Sequence, residues 1–237
     1  MIFTVKINST LDYKNMCKAI KYNILFYLFC LLITPQYLYS QNESQSWTKI
    51  TFEKKMPYSF KLELSQGLRL KEELSTINLA FFEGAISYKI SKGFKVDLPY
   101  RYTIFEDKIK HRLSLGASYQ HTFKPITIKY RIKYYRLYED GESVSEDGSA
   151  FGDLVRDKFT IKYKMNKKIT PYVSGELFYL YNTDSKPFNE YRTSIGVELD
   201  LPGKNSINIF YTLKNEDISL SNPSEISIIG FSYNSKL

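Results

Sequence analysis

The chain has 237 residues, with 33 Lys and Arg against 25 Asp and Glu, a formal charge of +8, 21 Tyr, 16 Phe and 2 Cys. An aromatic fraction of 16% beside a charged fraction of 24% excludes a disordered chain, and two cysteines are too few for a disulfide-held scaffold. Beyond the first 40 residues no run of about 18 apolar residues occurs, so the rest of the chain holds no segment able to cross a bilayer as a helix.

The first feature in chain order is the run ILFYLFCLLI from Ile24 to Ile33, preceded by Lys18 and Lys21 and followed by Pro35 and the small Ser40. About ten apolar residues suit the core of a secretory signal and fall short of the roughly 20 that a spanning helix needs. The expected signal is residues 1–40, cut after Ser40. Phe29 stands where lipidation of Cys30 would need a small residue, so a lipoprotein is not expected. Processing removes both cysteines, Cys17 and Cys30, together with four lysines and Asp12, which takes the charge from +8 to +5. An exported chain without cysteine has no disulfides, no thiol chemistry and no Cys-based metal site.

From Trp47 onward the pattern has a period of two. Ile126, Ile128, Tyr130, Ile132 and Tyr134 alternate with Thr127, Lys129, Arg131 and Lys133, which describes a strand with one apolar and one charged face. The same alternation predicts ten strands: Tyr58 to Lys71, Ile77 to Ile90, Phe94 to Phe105, Ile109 to Phe123, Ile126 to Tyr138, Leu154 to Met165, Tyr172 to Tyr181, Tyr191 to Leu201, Ile207 to Lys214 and Glu225 to Tyr233. Residues 41–57 precede this barrel of 58–237. Within them Trp47 to Glu53 also alternates and would make an eleventh strand, either at the seam or inside the lumen; the range is ten to twelve.

Short turns alternate with longer, acidic or polar connections such as Glu139 to Asp153 and Asn182 to Asn189. Short turns on one rim and long loops on the other are the mark of an antiparallel up-and-down transmembrane β-barrel, all-β in class. Ten strands would leave both ends on the short-turn, periplasmic rim. Periodicity alone does not say which face points inward. Tyrosines near strand ends (Tyr88, Tyr100, Tyr102, Tyr119, Tyr163, Tyr179, Tyr181 and Tyr211) suit interfacial girdles, and small residues on the polar face (Gly116, Ser118, Ser174, Ser194 and Gly196) suit a narrow, filled lumen. These features and the export signal favour a bilayer over a soluble exported barrel around a hydrophobic ligand.

The segments HRLSLGASYQHTF, ITIKYRIKYYRLYEDG, RDKFTIKYKMNKKITPYVSGELFY and NEYRTSIGVELDLPGKNSINIFYTL resemble the recurring strands of a Bacteroidota family catalogued as domain of unknown function 2490. Trp47-Thr48, the stretch Glu83 to Ile90 and the Lys-rich turn before Thr170-Pro171-Tyr172 match as well. The resemblance implies an outer-membrane β-barrel of a Gram-negative cell with no established activity. Members usually finish on an aromatic residue, whereas here Gly230-Phe231-Ser232-Tyr233 is followed by Asn234 to Leu237.

His111 and His121 lie ten residues apart on one strand, roughly 30 Å at about 3.3 Å per residue, too far to share a metal or act together. His111 with Glu106 and Asp107 is the one grouping comparable to a rim-sited hydrolase, and no catalytic, cofactor or metal residue is assigned. The lumen carries the stronger pattern. Lys110, Arg112, Lys129, Arg131, Lys133, Lys158, Lys162 and Lys164 form an expected basic wall, with Glu63, Glu83, Asp97, Glu176, Glu198 and Asp200 as acidic partners. Such a lumen is either packed and self-neutralising or an anion-preferring pore or cavity. The loop acids Glu139, Asp140, Glu142, Glu146, Asp147 and Asp153 do not follow EF-hand spacing and read as a solvated loop.

The resulting expectation is a monomer in the cell outer membrane with a structural, binding or narrow-pore role and no enzymatic activity or cofactor. Its partners would be outer-membrane lipid, lipopolysaccharide and, during insertion, the barrel-assembly machinery, with no nucleic acid.

Overall fold

The computed structural model describes residues 43–72, 74–105, 108–139, 142–143, 153–180, 188–216, 218 and 224–237. The expected signal, Glu106, Asp107 and Tyr181 lie outside these residues. Twelve strands form: β1 (Glu43–Lys55), β2 (Phe60–Lys71), β3 (Thr76–Ser91), β4 (Phe94–Phe105), β5 (Lys108–Phe123), β6 (Ile126–Glu139), β7 (Glu142–Ser143), β8 (Asp153–Tyr163), β9 (Ile169–Leu180), β10 (Phe188–Leu201), β11 (Asn205–Glu216) and β12 (Ser224–Lys236). Their sequences alternate apolar and polar residues, so each strand can present one face to each side of a sheet.

The sheet closes on itself. Running round the barrel, every neighbour is the next in sequence, with β5 paired to β6 and β6 to β8, while the two-residue β7 extends β6 at its loop end. Eleven strands thus form the wall. Ten pairings are antiparallel, and the eleventh is not: β1 pairs with β12 in parallel, from Glu43 opposite Ile226 to Glu53 opposite Lys236. The segment Trp47 to Glu53 therefore belongs to the wall, at the seam, and raises the expected ten strands to eleven. An odd count also corrects the expected placement of the ends. β1 begins at the rim of the long connections and β12 ends at the rim of the short turns.

Local chemistry explains the tight rim. Lys92-Gly93 is a two-residue connection between β3 and β4, with Gly93 at φ 88°, and a Cβ there would sit 2.3 Å from the Gln120 carbonyl oxygen. Only glycine meets both demands. Between β8 and β9 the Asn166 side-chain oxygen accepts from the backbone N–H groups of Lys168 and Ile169, each at 2.8 Å, closing the turn without a strand partner.

The burial pattern answers which face points inward. Large apolar side chains are exposed on the outside, among them Leu64 (54%), Leu115 (60%) and Ile229 (60%), whereas Thr51, Ser65, Asp97, Thr160, Glu176 and Ser194 on the opposite face are buried. Outward aromatic residues gather near both strand ends. Tyr88, Tyr119 and Tyr163 stand toward the short turns, and Tyr100, Tyr102 and Tyr179 toward the loops, with aliphatic residues such as Leu98, Leu115 and Val173 between them.

Inside, bulky rings sit over glycines of the adjacent strand. A Cβ on Gly230 would lie 1.9 Å from the Phe210 ring, and one on Gly67 would lie 2.3 Å from that of Phe81. Gly175, on the outer face, has nothing within 4 Å of such an atom. Gly230→Ala is expected to destabilise the barrel by about 1–3 kcal/mol through overpacking, read as a lower urea midpoint of the folded gel band, while Gly175→Ala leaves the midpoint unchanged. The seam gives a second prediction. With Cys17 and Cys30 replaced by serine, Thr48→Cys paired with Phe231→Cys should form a disulfide, because these residues are opposite one another across the parallel pair. Thr48→Cys paired with Tyr233→Cys, one repeat out of register, should not.

Candidate functional site

The centre of the barrel holds a cavity of about 210 Å³ whose lining includes residues from all eleven wall strands. Among the described residues that line it, eight side chains are Lys or Arg and one, Glu83, is a carboxylate. Such a concentration of like charge needs compensation, and it comes in two forms. The first is direct pairing. Arg101 Nε donates to Glu83 Oε2 at 2.8 Å and Arg112 Nη2 to the same oxygen at 3.5 Å; Lys133 lies 3.2 Å from Asp97. Glu176 takes both Arg156 and Lys158, and Glu190 takes Arg192 with Lys214 at 3.9 Å.

The second form uses aromatic faces. The Arg101 guanidinium lies 3.8 Å from the centre of the Phe81 ring, and Arg69 lies 4.0 Å from Trp47. Arg192 is held between Trp47 at 5.1 Å and Phe178 at 4.5 Å. Ring faces attract cations through their quadrupoles by about 0.5–2 kcal/mol each. They order the guanidinium groups without neutralising them.

The interior is graded along its axis. Toward the loops it narrows: Tyr135, Leu137, Leu154 and Phe178 are buried with Leu180 packed on them, the charged Lys110, Glu190, Arg192 and Lys214 are buried at this end as well, and the cavity beside Leu137 and Lys110 is about 20 Å³. Toward the short turns it becomes wider and more basic. A second cavity of about 200 Å³ lies among Lys129, Arg131, Lys158 and Lys162, and a third of about 950 Å³ opens at the rim among Lys61, Lys89, Lys92 and Lys95. Arg131 lines the first two and Lys129 the last two, so neighbouring cavities share lining residues on one strand, β6.

Of the expected basic wall, Arg112, Lys129, Arg131, Lys133, Lys158 and Lys162 line these cavities, and Lys110 is buried nearer the loops with its ammonium 4.6 Å from the Phe105 ring centre. Lys164 is exposed one residue beyond β8. Among the acidic partners, Glu63 pairs with Lys61 at 2.5 Å and Lys95 at 3.5 Å, Glu198 pairs with Lys162, and Glu83, Asp97 and Glu176 pair as above. Asp200 is exposed near the end of β10. Lys49, Arg69, Arg101, Arg156 and Arg192 complete the ring and stand outside the expected wall; their strand parity, matched to that of Lys129 and Arg131 through the pairing register, was the available signal.

The histidines face outward. His111 Nδ1 is 2.7 Å from the Tyr100 hydroxyl and its ring stands edge-on to Tyr102, while His121 is exposed beside Phe123. Asp153, at the end of the long acidic connection, pairs with Arg136 at 2.5 Å on the outer face. Among the described residues no three His, Cys, Asp or Glu side chains are grouped as metal ligands.

Glu176 is the keystone of the paired set, since among the described residues it is the carboxylate paired with both Arg156 and Lys158 in the interior. Glu176→Gln is expected to cost about 3–5 kcal/mol by leaving two buried cations uncompensated, seen as a lower urea midpoint that high salt partly restores. A change confined to the rim pair, Glu198→Gln, should cost less because Glu198 is 36% exposed.

The profile of a family described as "Protein of unknown function (DUF2490)" matches residues 44–222. No curated protein matches the chain. Solved structures with a similar path include a "KdgM porin", 13% identical with a TM-score of 0.43, covering 71% of this chain and 82% of that one. A "KdgM porin in complex with disordered oligogalacturonate" is 12% identical with a TM-score of 0.43, covering 68% and 80%. A "Bacterial polysaccharide outer membrane secretin" is 8% identical with a TM-score of 0.42, covering 68% and 70%.

Proposed function

The chain belongs to this family of unknown function, and from the geometry of its barrel we propose that it is a monomeric outer-membrane protein with a filled, cationic interior that binds rather than conducts. The observation that carries the reading is the inverted distribution of side chains. Apolar residues are exposed outside and polar residues buried inside, which is stable where the surroundings are hydrocarbon and unfavourable where they are water. A strand of 12 residues extends roughly 40 Å, and a tilt of about 45° brings that close to the height of a bilayer core. The two aromatic bands fit the levels where lipid headgroups begin.

The short turns then face the periplasm and the long connections the cell exterior, with lipid and lipopolysaccharide against the belt and the barrel-assembly machinery acting at insertion. Residues 1–40 serve as the export signal, cut after Ser40. A soluble barrel around a hydrophobic ligand would need its apolar face inside. A rim-sited hydrolase would need a base and a partner, and His111 has its Nδ1 against Tyr100 on the outer surface. Ion pairs crowd the interior, and the central cavity of about 210 Å³ is small beside the channel of a large porin.

Two measurements test this. The protein should fractionate with outer membranes and run faster on gels unboiled than boiled; an aqueous protein with no mobility shift would sink the membrane assignment. Folded protein in planar bilayers should show no steady conductance, and a sustained anion-selective current would replace the filled interior with a narrow pore.

A further inference from the structure

Within the central cavity, pairing is incomplete. Lys49 and Arg131 have no carboxylate within 4.0 Å among the described residues, although both line the cavity. Glu176, Asp97 and Glu83 act on Arg131 from farther off, and each is already engaged, by Arg156 and Lys158, by Lys133, and by Arg101 and Arg112 respectively. Arg156 is the strongest charged neighbour of Arg131 and repels it, and the Nε of Arg156 is buried with no hydrogen-bond partner. A buried guanidinium donor left unmade is expensive, and two converging like charges raise the cost further.

We propose that Lys49 on β1, with Arg131 on β6 and Arg156 on β8 across the barrel from it, lines a binding site in this cavity for a compact oxyanion of two or more charges, of the phosphate or small polycarboxylate class, reached from the short-turn rim. The assignment rests on the reading of a barrel that binds rather than conducts. Guanidinium groups match such oxygens in a fixed fork, and the lysine adds a point charge. A volume of about 210 Å³ is room for roughly seven waters at about 30 Å³ each, the size of phosphate, pyrophosphate or citrate and too small for a polymer. The route of access runs along neighbouring cavities that share lining residues: lysines at the short-turn rim, then Lys129, then Arg131. On the loop side the space narrows to about 20 Å³ beside Leu137 and Lys110, so the wider short-turn side is the open route.

The test uses the whole folded barrel in neutral detergent micelles, with phosphate, pyrophosphate and citrate titrated by calorimetry in chloride buffer and a neutral disaccharide as control. Saturable binding of at least one anion, weaker at higher salt, is expected; which anion binds tighter separates the phosphate from the carboxylate class. Arg131→Gln and Lys49→Gln should each weaken it about tenfold or more, the scale of one charged hydrogen bond. Lys164→Gln should leave it unchanged. Without anion the Arg131→Gln barrel should be at least as heat-stable as the parent, because a like-charge contact is gone, and should lose the stabilisation that anion gives the parent. Folded, heat-modifiable parent protein that binds none of the three overturns the site while leaving the barrel reading intact, and so does unchanged affinity in the Lys49→Gln, Arg131→Gln double variant. Loss of the folded band on the gel speaks to the barrel reading instead.

Discussion

Backbone hydrogen bonding at the edge of a sheet governs this fold. In hydrocarbon an unpaired N–H or C=O costs several kcal/mol, so a sheet that spans a bilayer must have no free edge. With β2 to β6 and β8 to β12 in an antiparallel meander, the two free edges belong to strands running the same way only if a further strand is added, and β1 is that strand. Its partner across the seam is then necessarily parallel. The evenly slanted hydrogen bonds of a parallel ladder satisfy the same groups with slightly less stability per residue. Eleven strands, rather than ten or twelve, follow from β1 having strand length and β12 accepting it.

Closure fixes the circumference, and the circumference fixes what the interior can hold. Side chains from eleven strands converge on one axis, so every inward cation has others as neighbours. Carboxylates at Glu83, Asp97, Glu176 and Glu190 and the rings of Trp47, Phe81 and Phe178 share the work of holding them. Glycines at 67 and 230 give the rings of Phe81 and Phe210 their space. The outer face is simpler, and its polar groups are paired: Tyr130 donates its hydroxyl to Asp157 at 2.5 Å, which shields the carboxylate from the apolar side chains around it, and Tyr211 and Ser227 share a hydrogen bond at 3.0 Å.

Much of this was legible in the alternation. A period of two places Lys129, Arg131 and Lys133 on one face and Ile128, Tyr130 and Ile132 on the other, and that parity survives in the barrel. Strand number was less legible, because a parallel seam between residues some 180 apart leaves no turn in the sequence to announce it. The partner choices were hidden for the same reason. Whether Glu83 meets Arg101 and Arg112, or Lys133 meets Asp97, depends on register and tilt, which shift the level of a residue on one strand against the next. Lys164 and Asp200 share the inward parity, yet they stand exposed at the short-turn rim, and parity carries no information about depth.

The seam also sets an order on assembly. Every antiparallel hairpin of the wall joins strands made one after the other, but Glu43–Lys55 emerges first and finds its second partner only when Ser224–Lys236 exists. Until then β1 is half satisfied, bonded to β2 on one side and open on the other. Closing a chain of that span costs about 4–5 kcal/mol of conformational entropy by the logarithmic law for loops, and the zipped meander between the two strands removes most of that cost in advance. The strand synthesised first is thus the last to be completed, and the barrel becomes watertight in a single final step.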